Sequence, residues 1–188
     1  MHNFFIDSTH SNADEKIADY LFYQLKDIYL SNRQIVFLCI GTDRSTGDSL
    51  GPLIGHKLRN IESNNFSIYG SLLNPVHSKN LKTTLKKINE LYNNPYIIAI
   101  DACLGTANNI GKIFIRNSPV KPGLALNKVL PEVGDISITG NVNISSGFDF
   151  IILQNTRLYT VVKIADVISN GIYNFILKCN KLKISNNN

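Results

Sequence analysis

Three observations predict an α/β fold built on a mostly parallel sheet. The runs Gln34–Ile40 and Tyr96–Ile100 are nearly continuous apolar stretches rich in β-branched residues, the pattern of strands buried on both faces. Segments with apolar residues at helical spacing alternate with the strands, which implies parallel crossovers. A glycine-rich turn, Gly41-Thr42-Asp43-Arg44-Ser45-Thr46-Gly47-Asp48-Ser49-Leu50-Gly51-Pro52, leads from the first strand into a helix. In such folds ligands collect outside the carboxyl ends of the strands. A chain of 188 residues, 44% hydrophobic, is long enough for one core and short for two, so residues 1–188 are read as a single domain.

Taken in order, Ala13, Ile17, Leu21, Leu25 and Ile28 predict an amphipathic helix over about 12–30, with Asp14 and Glu15 in its first turn. The α/β core is expected over about 34–178. After the strand at Gln34–Ile40, the apolar stripe Leu50, Ile54, Leu58 and Ile61 marks a helix in which Pro52 is tolerable because it lies in the first turn. A strand is expected at Phe66–Leu73, then a helix over Ser78–Tyr92 carrying Leu81, Leu85, Ile88 and Leu91. The strand at Tyr96–Ile100 ends in Asp101.

Beyond Asp101 the alternation changes. The connection Gly105–Ile110 is too short for a helical crossover, so the strand Gly111–Arg116 is expected to pair antiparallel or lie at an edge. A loop with Pro119, Pro122, Gly123 and Pro131 precedes a strand at Asp135–Asn143. One long helix is expected over Asn155–Lys178, and the polar tail 180–188 is expected to be disordered.

Composition narrows the function classes. The net charge of +5 comes from dispersed lysines with no basic-aromatic motif, so no nucleic-acid partner is expected. No stretch approaches the ~20 apolar residues of a membrane span, and residues 1–16 lack an apolar run behind positive charges. Cys39, Cys103 and Cys179 are odd in number and scattered, which reads as reduced thiols and a cytoplasmic location.

The glycine-rich turn does not suit phosphate. A P-loop has four residues between its glycines and then lysine, whereas five residues separate Gly41 from Gly47 and the next residue is Asp48. No nucleotide is therefore expected. Asp48 or Ser49 is also a favoured helix cap, which is the plainer reading of the turn. Parallel crossovers bring the ends of the strands to one rim, so the turn, His77 and Asp101 should meet there. Two carboxylates converging on one cleft raise the pKa of one partner. Such a pair either activates water against an amide carbonyl or binds a divalent metal that does so. His77 is placed to assist, giving Asp48, Asp101 and His77 as the ligand set if a metal is used. Rim residues offered as substrate-binding or supporting groups are Gly41, Asp43, Arg44, Gly47, Thr139 and Asn141, with Asn143 beside them. Asp135 is read as opening its strand at the opposite rim. Cys103 with His77 as base is the only thiol alternative.

The turn, together with Ile100-Asp101-Ala102 and Val133-Gly134-Asp135-Ile136-Ser137-Ile138-Thr139-Gly140, resembles the YyaC-type spore proteases of endospore-forming bacteria, over about Ile35 to Ile176. Relatives of that group are the germination protease and the hydrogenase maturation proteases. The resemblance implies a three-layer α/β/α sandwich with a mixed sheet of about five strands, the fourth antiparallel. It also implies that Asp48 and Asp101 are the acid pair, catalytic in the first relative and nickel-binding with a histidine in the second. The chain has no histidine in its second half to supply that ligand. The expected function is a peptidase acting on a peptide or protein in a sporulating cell or spore interior. The alternative is a noncatalytic sporulation protein that binds a peptide in the acidic cleft. The sequence leaves a homo-oligomer open. A peptidyl-tRNA hydrolase-like or phosphorylase-like enzyme would need a basic groove or a phosphate site, and neither is evident.

Overall fold

The computed structural model describes residues 4–61, 64–123 and 130–186. Along the chain lie β1 (Phe4–Asp7), α1 (Ala13–Leu30), β2 (Ile35–Cys39), a 3-10 turn (Gly47–Ser49) and α2 (Leu50–Lys57). They are followed by β3 (Phe66–Tyr69), α3 (Leu81–Leu91), β4 (Tyr96–Gly105), β5 (Lys112–Arg116), β6 (Ile136–Ile144), α4 (Asp149–Gln154) and α5 (Leu158–Asn186). The strands form one six-stranded sheet in the order β1-β5-β6-β4-β2-β3. Strands β3, β2, β4 and β6 run parallel, and β5 runs antiparallel to both β6 and β1. Helices lie on both sides, as the α/β reading requires.

Alternation along the strands divides the core in two. On one face Phe37, Ile98, Ile100, Ile113, Ile115, Ile138 and Val142 pack beneath α1, α2 and α5. Tyr29 of α1 stacks on Phe66 at 5.4 Å, and Phe175 of α5 meets Phe66 edge-on at 5.7 Å. On the other face Val36, Leu38, Ile40 and Ala99 pack against Leu81 and Ile88 of α3. No member of that second cluster comes from β1, β5 or β6. Helix therefore covers one face of the sheet broadly and the other only over its β2–β3–β4 half.

Four expectations are corrected. The sheet has six strands rather than about five, because the four residues Phe4–Asp7 add β1 to the edge of β5. So short a strand has no periodicity to betray it. The helix expected over Asn155–Lys178 is α5, which starts at Leu158, but a short helix that was not expected, α4, precedes it, and the buried Thr156 between the two receives a hydrogen bond from the Asn143 amide at 3.2 Å. The tail expected to be disordered is helical through Asn186. Cys179 is fully buried, Lys178 pairs with Asp19, and the Lys183 ammonium lies 5.7 Å from the Tyr29 ring centroid, so α1 holds the last turns in place. Residues 187–188 fall outside the described residues, as do 124–129 of the loop between Pro119 and Leu130.

The fourth correction bears on the site. Asp101 is not the tip of its strand, because β4 continues to Gly105. Strand β6 accompanies it that far, whereas β2 leaves at the Cys39–Ile100 pair. Asp101 thus lies inside a strand whose neighbour on one side has turned away into the glycine-rich loop. Among the described residues no helix is long and apolar enough to cross a membrane.

Candidate functional site

The loop that replaces β2 is fixed by two close backbone approaches. The Ile40 amide donates to the Ile100 carbonyl at 2.7 Å, and the Gly41 amide donates to the Val76 carbonyl at 2.8 Å. At Gly41 the chain adopts φ +141°, and a Cβ there would stand 2.0 Å from the Asp48 carbonyl oxygen. The Thr42 amide closes the loop onto that same carbonyl at 3.0 Å. At Gly51 a Cβ would meet the Ile40 carbonyl oxygen at 2.1 Å, so the start of α2 presses directly on the end of β2. Both glycines are required for Asp48 to fold back beside β4.

Asp48 stands in the 3-10 turn, and no side-chain hydrogen bond caps the 3-10 turn or α2. The capping reading of the turn therefore fails, and the Asp48 carboxylate is left to face the cleft. Burial pushes its pKa up to about 6, against the pull of the Thr42 amide. Asp101 is 6% exposed and accepts a hydrogen bond from the Ala102 amide at 2.8 Å. Its pKa is raised well above the ordinary carboxylate range, first by burial and then by repulsion from Asp48, with the Ala102 amide opposing. Two acids that feel each other's charge titrate as a pair, and both pKa values here are moved up, Asp101 by burial and by the Asp48 charge together.

A cavity of about 710 Å³ opens over the pair, within the range of small-ligand sites. Ile40, Gly41 and Thr42 form one wall, Leu104 and Thr139 line the sheet, and Val120, Pro122 and Leu130 come from the long loop. Of the rim residues expected from sequence, Gly41, Arg44, His77 and Thr139 line this cavity. Asp43 is exposed and is not among the lining residues. It makes no ion pair with Arg44. Gly47 is buried against α4, where a Cβ would lie 2.7 Å from Leu153 Cδ2, so it seats the loop and does not touch the cavity.

Asn141 is 2% exposed and lies behind the cavity wall, its amide nitrogen where a Cβ on Gly105 would approach to 2.3 Å. Its Oδ1 has no hydrogen-bond partner among the described residues. Asn143 is engaged by Thr156. Asp135 opens β6 at the far rim, accepting from the Ile97 amide at 2.8 Å, as expected.

The metal set is not brought together. Among the described residues no three His, Cys, Asp or Glu side chains stand close enough to hold an ion. His77 lines the cavity, but its Nδ1 accepts from the Lys79 amide at 3.3 Å and its own amide donates to Asn80 Oδ1 at 2.8 Å. The ring is tied to its own turn ahead of α3, so these residues do not fit a three-ligand site. Burial pushes the Cys103 thiol up to about 11, which disfavours the thiolate that the thiol alternative needs.

Sequence reading missed Arg116. It reaches the cavity from the end of β5 and donates to Thr139 Oγ1 at 3.3 Å. The signal was present: Lys112, Phe114 and Arg116 alternate with the buried Ile113 and Ile115, which puts the cation on the face opposite the main core. Lys79, Lys121 and Asp149 also line the cavity. Lys121 pairs with Glu132 at 3.0 Å, whereas Arg44 and Lys79 have no ion-pair partner among the described residues.

The family model described as "Protein of unknown function (DUF1256)" matches residues 5–171. The chain belongs to this family. It is 44% identical over 168 residues to the uncharacterized protein YyaC of Bacillus subtilis (strain 168), covering 89% of this chain and 81% of the relative. The YyaC resemblance read from the three motifs is thus borne out. Among solved structures, the [NiFe] hydrogenase maturation protease HycI from Thermococcus kodakarensis KOD1 aligns with a TM-score of 0.42 and 17% identity. That alignment covers 77% of this chain and 98% of HycI.

Proposed function

We propose that the protein is a peptidase in which Asp48 and Asp101 activate water against a peptide carbonyl. The observation that carries this reading is that two acids in unequal environments, Asp48 and the more deeply buried Asp101, line one cavity. Asp48, ionised above about pH 6, takes a proton from the attacking water. Asp101 gives its proton to the carbonyl oxygen as charge develops there; the C–N bond of the resulting diol then breaks as the proton on Asp48 passes to the leaving amine and a diol hydroxyl returns a proton to Asp101. Unequal environments assign the two roles: Asp101 is the more buried and feels the Asp48 charge.

The biological setting in this proposal is sporulation or germination, inside the sporulating cell or spore. It is supported by the motif resemblance to spore proteases. The test is to incubate wild-type protein and the Asp48→Asn variant with spore extract and identify new peptide termini by mass spectrometry. Termini produced by the wild type alone support the peptidase. Identical peptide sets, with retained peptide binding, move the assignment to the noncatalytic binding protein.

A further inference from the structure

The half of the sheet that α3 leaves bare carries an ordered row of residues. Phe5 of β1 pairs with Phe114 of β5, Phe114 with Thr139 of β6, and Thr139 with Asp101 of β4. Directly paired residues share a face, and this is the face away from α1, into which Phe4 and Ile6 pack. The row therefore runs across the strands from the sheet edge to the candidate acid. At about 4.8 Å per strand, Phe114 lies about 10 Å and Phe5 about 14 Å from Asp101 along the sheet.

The chemistry along the row is that of a contact surface. Phe5 is 62% exposed, and its ring centroid is 6.2 Å from that of Phe114. The Lys112 ammonium lies 6.0 Å over the Phe5 ring and the Arg116 guanidinium 5.0 Å over the Phe114 ring. Phe5 is exposed and Phe114 half-buried, and aromatic residues and Arg are both enriched where proteins meet partners. Lys112 stands opposite Asp7 in register, which meets part of its charge. Arg116 has no ion-pair partner among the described residues and also lines the cavity.

We propose that this row is the docking track of a polypeptide substrate, which lays an apolar side chain over Phe5 and Phe114 and presents an acidic one to Arg116. The inference rests on the peptidase reading only for the position of the bond to be cut. An extended chain advances about 3.3 Å per residue, so the apolar residue falls roughly three or four positions from that bond.

A positional-scanning library of fluorescein-labelled dodecapeptides, bound to the Asp48→Asn protein and read by fluorescence anisotropy, tests the track without requiring cleavage. Pools pairing Phe, Leu or Ile with Asp or Glu should bind best. Phe5→Ser should weaken the best pool at least fivefold, with Phe114→Ser as the second variant, and Arg116→Gln should erase the acidic preference while leaving the apolar one. Matched melting curves identify variants that remain folded. The track is overturned if no pool binds above the library mean, or if the best pool ignores Phe5→Ser and Arg116→Gln. It is equally overturned if sedimentation shows a dimer that Phe5→Ser dissociates, since the row then serves a second copy. Selective binding without wild-type cleavage refutes the peptidase and leaves the track. Cleavage indifferent to the row refutes the track and leaves the peptidase.

Discussion

The two faces of one sheet follow different rules. Beneath α1, α2 and α5, the inward residues of β2, β4 and β6 are Phe37, Ile98, Ile100, Ile138 and Val142, all sealed from solvent. One position along β4 and β6, on the opposite face, stand Asp101, Cys103 and Thr139, which with Arg116 of β5 surround a cavity. The first face supplies the burial that holds the domain together. The second carries Asp101 and Cys103, whose charged forms burial disfavours, which costs stability and creates reactivity. A period-2 strand separates these tasks by a single residue step.

The sharpest way to break this division is at the acid pair. Asp48→Asn and Asp101→Asn should each cut peptide cleavage by about 10²–10⁴-fold, the usual worth of a positioned acid or base. Both should keep or raise the melting temperature at pH 7, because each removes a carboxylate that burial disfavours. A variant that lost both activity and stability would show the acids to be structural. On the other face Phe37→Ala should cost about 3–5 kcal/mol in urea unfolding, as for other buried aromatics, and should lower activity only where the protein unfolds.

The pH dependence sharpens the comparison further. Asp48 has its pKa raised to about 6 in the folded state, so the fold binds its proton more tightly than the unfolded chain does. Its contribution is fully present below about pH 4 and is lost as pH rises through about 6, a fall of at most about 3 kcal/mol. Urea titrations from pH 4 to 7 should show this decline in the wild type and a shallower one in Asp48→Asn. Cleavage should move the opposite way, rising through about pH 6 as Asp48 ionises and falling at higher pH when Asp101 loses its proton. The smallest effect belongs to the bare half of the sheet. Phe5→Ser, at an exposed position, should change unfolding free energy by no more than about 0.5 kcal/mol. A larger loss would mean that the ring is part of the core.

Much of this was legible in the sequence because it depends on local pattern. The buried strands announce themselves by unbroken apolar runs, and the glycine turn by residues that only a sharp strand-to-helix reversal needs. The parallel crossover rule then brings Asp48 and Asp101 together without any side-chain detail. What escaped depends on distant partners. Phe4–Asp7 becomes a strand because β5 offers an edge, and Asn180–Asn186 stays helical because α1 lies alongside. The six residues of α4 are too few to show a helical stripe, so that helix went unread. His77 was placed correctly at the cavity, but the hydrogen bond that ties its ring to Lys79 leaves no trace in spacing.

The pairing of β1 with β5 and of α1 with α5 carries a consequence for how the chain comes to be folded. The first strand finds its partner only at Lys112–Arg116, and the first helix packs on the last. A chain emerging from the ribosome can assemble β2, β3 and β4 with α3 early, since those elements adjoin in sequence. Its opening segment must wait for the closing one. Contacts of such long sequence separation slow folding, so β1 and α1 settle only after β5 and α5 have been made.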